Sequence, residues 1–396
     1  MAKDYLRDWI YEVKYMNDFL ESRLCRLTCV APVHIGSGET LKSFEYLYDK
    51  DRQQVYFLHE GKWAHFLASH SLLDEFTAIL DRTGNFSRKN IWQWLQGKGF
   101  SAEACNDFIK YKAVVKADLS DKKSTLNDIS TGMCDGSGNL YVPGSSIKGM
   151  LRMGIIFHLL ENSPGMKEKF HKEMYKALQS DNPKKSLENL SKKIEEALLE
   201  YKDDKKNVHK CLAGLQVGDA LAEAGTVPEP VILQRTYGTT YGGRKKEFEK
   251  PLDVFWECIP AGSEFRLRIS MDKAMLQKIG ISSIEEIFGY CRLFMQRGLK
   301  LQEKVFGRRY GALFDEAQGA DCFLGAGTGF LQKSLWFSLF ADEAEAMREL
   351  RGFLDRSFRQ HRHLVLDKAI SPRTIKLVGS GRRKQMMGLC KLEVIS

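Results

Sequence analysis

The sequence predicts an α+β protein made of two ferredoxin-like units, the first carrying a helical insertion. Three observations predict it. Short apolar runs of strand type are mixed with longer stretches of helical periodicity in both halves of the chain. Each half has a glycine-rich turn directly after apolar sequence, at Gly36–Gly38 and at Gly325–Gly329. No segment recurs at a fixed period, which argues against a solenoid.

Residues 1–22 place Leu6, Ile10, Val13 and Leu20 at near-helical spacing, an amphipathic helix that docks on the body or on a partner. A strand follows from Arg23 to Val30, closed by Pro32. Residues 44–58 read as a hairpin with Asp49-Lys50-Asp51 at its turn. Phe66, Leu67, Leu73, Phe76 and Leu80 predict a helix from Trp63 to Leu80, and 84–135 read as short helices in polar loop. A strand ends at Val142, Pro143-Gly144 turns, and Ser145 or Ser146 caps the next helix.

The lysine-rich region 162–209 carries an apolar stripe at Leu187, Leu190, Ile194, Leu198 and Tyr201. It predicts a helical insertion, about 155–210, with a solvated basic face. Leu212–Ala220 returns as a strand. The segment AEAGTVPEP at 222–230 is the best linker. It sets the units at 23–221 and 231–396. The second has strands at Val231–Thr236 and Phe265–Met271. One helix shows Ile284, Ile287, Phe288, Cys291 and Phe294, and a later one Met347, Leu350, Leu354 and Phe358. A basic glycine loop and the strand MGLCKLEV end the chain.

The net charge of +9 favours a polyanionic partner such as nucleic acid. The nine cysteines include no Cys-x-x-Cys pair, against a zinc knuckle or a thioredoxin-like site and in keeping with a reducing cytosol. No apolar run approaches the roughly 20 residues of a membrane span. The charged N-terminus has no signal-peptide core. A cytoplasmic protein without membrane contact is expected.

Five segments carry candidate function. In Pro143–Arg152 (PGSSIKGMLR), Gly144, Ser145 and Ser146 open a helix, and Lys148 and Arg152 share one face of it. Free N–H groups and the helix dipole would cradle a phosphate there. A capped helix with two solvated bases satisfies the same residues. In Pro32–Glu39 (PVHIGSGE), Gly36, Ser37 and Gly38 follow a strand, and His34 suits either acid–base work or ligand contact. The stretch LGAGTGFLQKS (324–334) places Gly325, Gly327 and Gly329 in a loop. It nearly matches a nucleotide P-loop from Gly327 but has Gln332 where glycine is required, and its spacing fails the Rossmann pattern as well. The stretch 373–384 holds Arg373, Lys376, Arg382, Arg383 and Lys384 with no acid. The stretch 235–246 interleaves Arg235, Arg244 and Lys245 with tyrosines and glycines, as a loop that stacks on nucleotides would.

The order PVHIGSGE, YVPGSSIKGMLR, LQVGD, LGAGTGFLQKS, MGLCKLEV resembles the RAMP superfamily of CRISPR effector subunits. Within it the chain looks most like the fifth Csm subunit of type III-A complexes, which caps the crRNA 3′ end. The resemblance runs from about Arg23 to Val394. It implies two ferredoxin-like domains, glycine loops on the RNA backbone, no catalytic residue and no cofactor or metal ion. Implied partners are the 3′ region of crRNA, target RNA, the repeated backbone subunit and host nucleases that trim the guide. The rival expectation is a metal-independent endoribonuclease for repeat RNA, acting through His34 with Lys148 on the phosphate.

Overall fold

The computed structural model describes residues 19–82, 91–101, 103–117, 119, 126–239, 248–379 and 384–396. The expected N-terminal helix falls outside them up to residue 18. Leu20–Ser22 already belong to the first strand, β1 (Leu20–Cys29). Its alternation puts Cys25, Leu27 and Cys29 in the core.

An edge strand β2 (Gly36–Leu41) and the hairpin β3 (Tyr46–Asp49) and β4 (Gln54–Leu58) follow. The helix expected over 63–80 is two helices, α1 (Glu60–Ser69) and α2 (Leu73–Arg82). Ser71 takes a positive φ of 56° between them, and Leu72 N–H returns to the Leu67 carbonyl at 2.8 Å. After α3 (Ile91–Gly97) come β5 (Ile109–Lys116) and β6 (Ile129–Gly132). Both lie in the stretch read as loop and short helix.

The long helix α4 (Gly144–Glu161) leads into the insertion, α5 (Pro164–Leu178) and α6 (Pro183–Leu199). Leu190, Ile194 and Leu198 bury their stripe as expected. Tyr201 instead sits in β7 (Glu200–Lys202), which pairs with β8 (Val208–Lys210). Of the strand expected over 212–220, only β9 (Leu215–Val217) forms, with Ala220 bridged to Val142. Then come β10 (Val231–Thr239), β11 (Phe248–Cys258) and β12 (Glu264–Asp272). After the short α7 (Lys273–Gln277), α8 (Ile284–Ala317) runs to the brief β13 (Cys322–Phe323). Last are α9 (Glu343–Ser357), α10 (His363–Leu366), β14 (Thr374–Val378) and β15 (Leu389–Val394).

Helices and sheet are thus mixed along the chain, the α+β class expected. One sheet has the order β13-β15-β1-β12-β9. The other runs β2-β6-β11-β10-β5-β4-β3, with β14 added alongside β10. Both draw strands from either side of residues 222–230. The main core lies between the first sheet and helices α4 and α8. These helices approach so closely at Gly154 that an added Cβ would come within 2.6 Å of Cys291 Sγ.

The start of α4 corrects the serine cap. Pro143 holds the N-cap position, and no side chain of the turn caps the helix. The Gly144 N–H donates instead to Asp219 Oδ1 at 2.7 Å. A Cβ at Gly144 would lie 2.2 Å from the Val217 carbonyl oxygen. Gly144 therefore admits a neighbouring strand rather than a phosphate, and the Asp219 carboxylate takes the place of an anion at the dipole.

Two glycines of this helix should respond oppositely to alanine. Gly144→Ala drives a methyl into β9 backbone and is expected to destabilise by about 1–3 kcal/mol. A Cβ at Gly149 meets nothing within 4 Å, so Gly149→Ala should stabilise by up to about 1 kcal/mol. Urea unfolding of the two variants beside the wild type measures the contrast.

Candidate nucleic-acid interface

β10 and β11 form the floor of the site. Beyond β1 the chain bridges Val33 to Ile259 and sets His34 against β11. His34 is buried, at 4% exposure. Its Nδ1–H donates to the Glu257 carbonyl at 2.7 Å, because a carbonyl can only accept. Its ring stacks on the Trp256 indole at 4.8 Å, tilted by 13°. Burial, with the charge of Arg235, lowers the His34 pKa, so the imidazole is held neutral. The Arg235 guanidinium lies over the same indole, 4.4 Å from the ring centre.

The second-half glycine loop docks on this pair. Ala326 N–H donates to the His34 carbonyl at 2.8 Å. Gly325 and Gly327 have φ of 77° and 81°. A Cβ at Gly325 would stand 2.4 Å from the His34 oxygen, and one at Gly327 2.7 Å from the Trp256 ring. These two glycines serve close packing against protein, a correction to their expected apposition to RNA. Gly329 (φ 98°) has open space beside it.

Three cations gather where the loop meets the sheet. Arg235 stands on β10, Lys376 on neighbouring β14 opposite Tyr237, and Lys333 follows the glycine loop. Lys333 Nζ donates to the Gly325 carbonyl. Desolvation lowers the pKa of all three, and Lys376 is lowered further by the charges of Arg235 and Lys333. Among the described residues no carboxylate pairs with any of them. Other expected cations are engaged. Arg152 pairs with Glu195 at 3.3 Å, Arg373 with the buried Asp367 at 2.7 Å, and Lys384 with Glu249. Lys384 is thus neutralised, not free for phosphate as the sequence suggested.

The remaining candidates divide. Gly36–Gly38 is no loop but the edge strand β2, where Gly36 pairs with Gly132 and Gly38 (φ 94°) sits in a register shift. Ser37 Oγ is 2.6 Å from Thr131 Oγ1 and accepts the Glu39 N–H, so its hydroxyl is tied within the protein. Ser145, Lys148 and Arg152 line a groove of 610 Å³ with Lys192, Glu195 and Lys210. Arg235 belongs to a strand, where the sequence suggested a flexible loop. Arg244, Lys245, Arg382 and Arg383 lie outside the described residues. A cavity of 330 Å³ joins two of the motif segments, with Ser146, Gly149 and Arg152 on one side and Gly325, Gln332 and Lys333 on the other.

Trp256 and Glu257 escaped sequence reading, and Lys333 and Lys376 were not singled out there as contacts. The hint for Trp256 is a bulky aromatic beside a charge in a strand run, VFWEC, which is common in cores. Glu257 is fully buried and accepts the Gly132 N–H at 2.8 Å. Burial pushes its pKa from 4.5 to about 7, although the Gly132 N–H, Tyr111 and Lys110 pull the other way. Its carbonyl orients His34 while its carboxyl anchors β6. Among the described residues no group of three or more His, Cys, Asp or Glu could hold a metal ion, and no helix is long and apolar enough to cross a membrane.

The model of the RAMP superfamily matches residues 26–332. The "CRISPR system Cms protein Csm5" of Enterococcus italicus is 24% identical over 396 aligned positions, covering 93% of this chain and 96% of that protein. A chain of a solved Csm–crRNA–target RNA ternary complex of a type III-A CRISPR-Cas system shares the fold at a TM-score of 0.65 and 16% identity. It matches over 94% of this chain and 100% of its own length. The crystal structure of T. onnurineus Csm5 gives a TM-score of 0.58 at 15% identity, over 92% and 99% of the two chains.

Glu257 predicts a pH dependence of stability. Its folded pKa lies above the unfolded one, so between them the folded state holds a proton that the unfolded state has lost. This contribution therefore falls as pH rises from about 4.5 to about 7, and the loss is complete above that. Glu257→Gln should remove the slope and be more stable than wild type at pH 8, as read by denaturant midpoints across that range.

Proposed function

The chain belongs to the RAMP superfamily, and from that premise we propose that it is a subunit of a type III-A CRISPR (Csm) effector complex that holds the 3′ region of the crRNA without cleaving it. The observation that carries this reading is the convergence of Arg235, Lys333 and Lys376 beside the glycine loop with no carboxylate to offset them. Three cations so placed favour a run of phosphates, whatever the bases. A relative matched over more than nine-tenths of both chains carries the Csm5 name, which supports the narrower assignment. The same reading keeps two ferredoxin-like units, 23–221 with an insertion at about 155–210 and 231–396, exchanging strands between their sheets. Its partners would be the repeated backbone subunit, target RNA where that pairs with the guide, and nucleases that trim the guide.

The rival, an endoribonuclease acting through His34, needs an imidazole that touches its substrate. His34 is buried, stacked on Trp256 and hydrogen-bonded through Nδ1, which suits a positioning role. Labelled repeat RNA in chelator is expected to remain intact; specific cleavage lost in His34→Ala would overturn the non-catalytic reading.

Lys333→Ala with Lys376→Ala should weaken binding to all RNA sequences alike. Two lost single-strand phosphate contacts should flatten the plot of log affinity against log salt by roughly 1.4. Lys148→Ala with Arg152→Ala should change the slope by about half as much or less, since Glu195 already neutralises Arg152. An unchanged slope in the first variant would take its two lysines off the RNA path. Purification of the complex from native cells should recover guide RNA, with cross-links in its 3′ region rather than its 5′ handle.

A further inference from the structure

The cavity between α4, α8 and the glycine loop is too large for a packing defect. Protein interiors contain few voids larger than a water molecule. This one measures 330 Å³, the lower end of small-molecule sites at roughly 300–1,000 Å³. Its walls are apolar and polarisable: Met150, Phe294, Met295 and Phe323 are among them. Its polar side carries Arg152 and Lys333. Gln332 also lines it, at 4% exposure. The Gln332 Nε2 donates to Gln302 Oε1 at 3.1 Å, while its own Oε1 has no partner among the described residues. Buried amide oxygens are normally satisfied, so one without a donor beside a cavity calls for a ligand that brings one. The residue that breaks the P-loop pattern thus has a place of its own.

We propose that this cavity receives one nucleobase of the bound RNA, turned out of the strand. The aromatic and thioether walls take the ring faces. Lys333 takes the adjoining phosphate, and an exocyclic amine of the base donates to Gln332 Oε1. The occupant is a base rather than an aliphatic side chain because the cavity joins polarisable walls to a cationic side and an unmet acceptor. This inference rests on the reading of the chain as an RNA-binding subunit. It adds one fixed nucleotide position to a grip otherwise directed at the backbone.

The test is an abasic scan. Full-length protein is titrated with RNA oligonucleotides of one length, each lacking a single base at a successive position. One position should weaken binding by about tenfold, the scale of base stacking on a side-chain platform, and the others far less. Gly149→Leu should abolish that one penalty by filling the cavity. Gly149 has open space around its Cβ position and leucine favours a helix, so the variant's melting temperature should not fall. RNA binding with a flat scan would overturn the inference and leave the RNA-binding reading standing. No RNA binding at all would bring down both. A scan unchanged in Gly149→Leu, with a neighbouring subunit lost from the complex, would make the cavity a protein socket and also overturn the inference.

Discussion

Strand β1 and the few residues after it hold the molecule together. On one side β1 pairs with β12 from Leu20↔Asp272 to Thr28↔Glu264, and on the other with β15 from Cys25↔Val394 to Cys29↔Cys390. The first sheet cannot form until the two ends of the chain meet, because its central strand begins at residue 20 and its neighbours lie beyond residue 263. Such long-range pairing carries a loop-closure cost, repaid by the apolar face that Cys25, Leu27 and Cys29 present to the core beneath α4 and α8. The same segment then bridges Val33 to Ile259 and carries His34 onto Trp256. The strand that closes the core therefore also sets the depth and angle of the site. A shift of one residue in its register would move every side chain to the other face.

Charge is handled differently at the site than elsewhere. Arg26 and Arg266 face each other directly across β1 and β12, yet each has its own carboxylate, Glu393 at 3.1 Å and Glu223 at 2.8 Å. Arg292 and Asp321 are similarly matched at 2.6 Å. Arg235, Lys333 and Lys376 have no such partner among the described residues and depress one another's protonation. Like charges gathered on a partly desolvated surface destabilise the isolated protein. A fold that neutralises its other cations and leaves this group positive places its electrostatic cost where a polyanion would relieve it.

The fold was legible wherever one face of one element carries the signal. The stripe of Leu190, Ile194 and Leu198, the alternation in β1 and the run Ile284–Ile287–Phe288–Cys291 all became buried faces. β5 was lost because Lys110, Lys112 and Lys116 stand on its exposed side, and half a strand of lysines reads as solvated loop. The site was legible as a set of segments and misread in its details. A glycine at a helix start signals an open anion cradle, but the atoms that fill the space at Gly144 belong to Val217 and Gly218, more than 70 residues onward. Gly325 and Gly327 mislead for the same reason: a positive φ is local, while the neighbour that forbids a Cβ is not. Lys384 looked unopposed in a stretch without acids, and its carboxylate came from Glu249 on another strand.

A cation that must meet a phosphate has to be held in place without being neutralised, and the site solves this with uncharged partners. Arg235 is set by the face of Trp256, which attracts a guanidinium through its quadrupole and leaves the N–H fork available. Lys333 is set by the Gly325 carbonyl, which takes one of the three ammonium donors. Lys376 is set by its strand, hydrogen-bonded in register with β10. An aspartate in any of these roles would orient the side chain equally well and cancel its charge. The indole in turn needs a flat partner on a fixed backbone, and His34 supplies one because burial keeps it neutral. A protonated imidazole there would add a fourth positive charge beside Arg235. The histidine, the tryptophan and the glycine loop therefore act as one scaffold. Its chemistry is to keep three positive charges fixed and available.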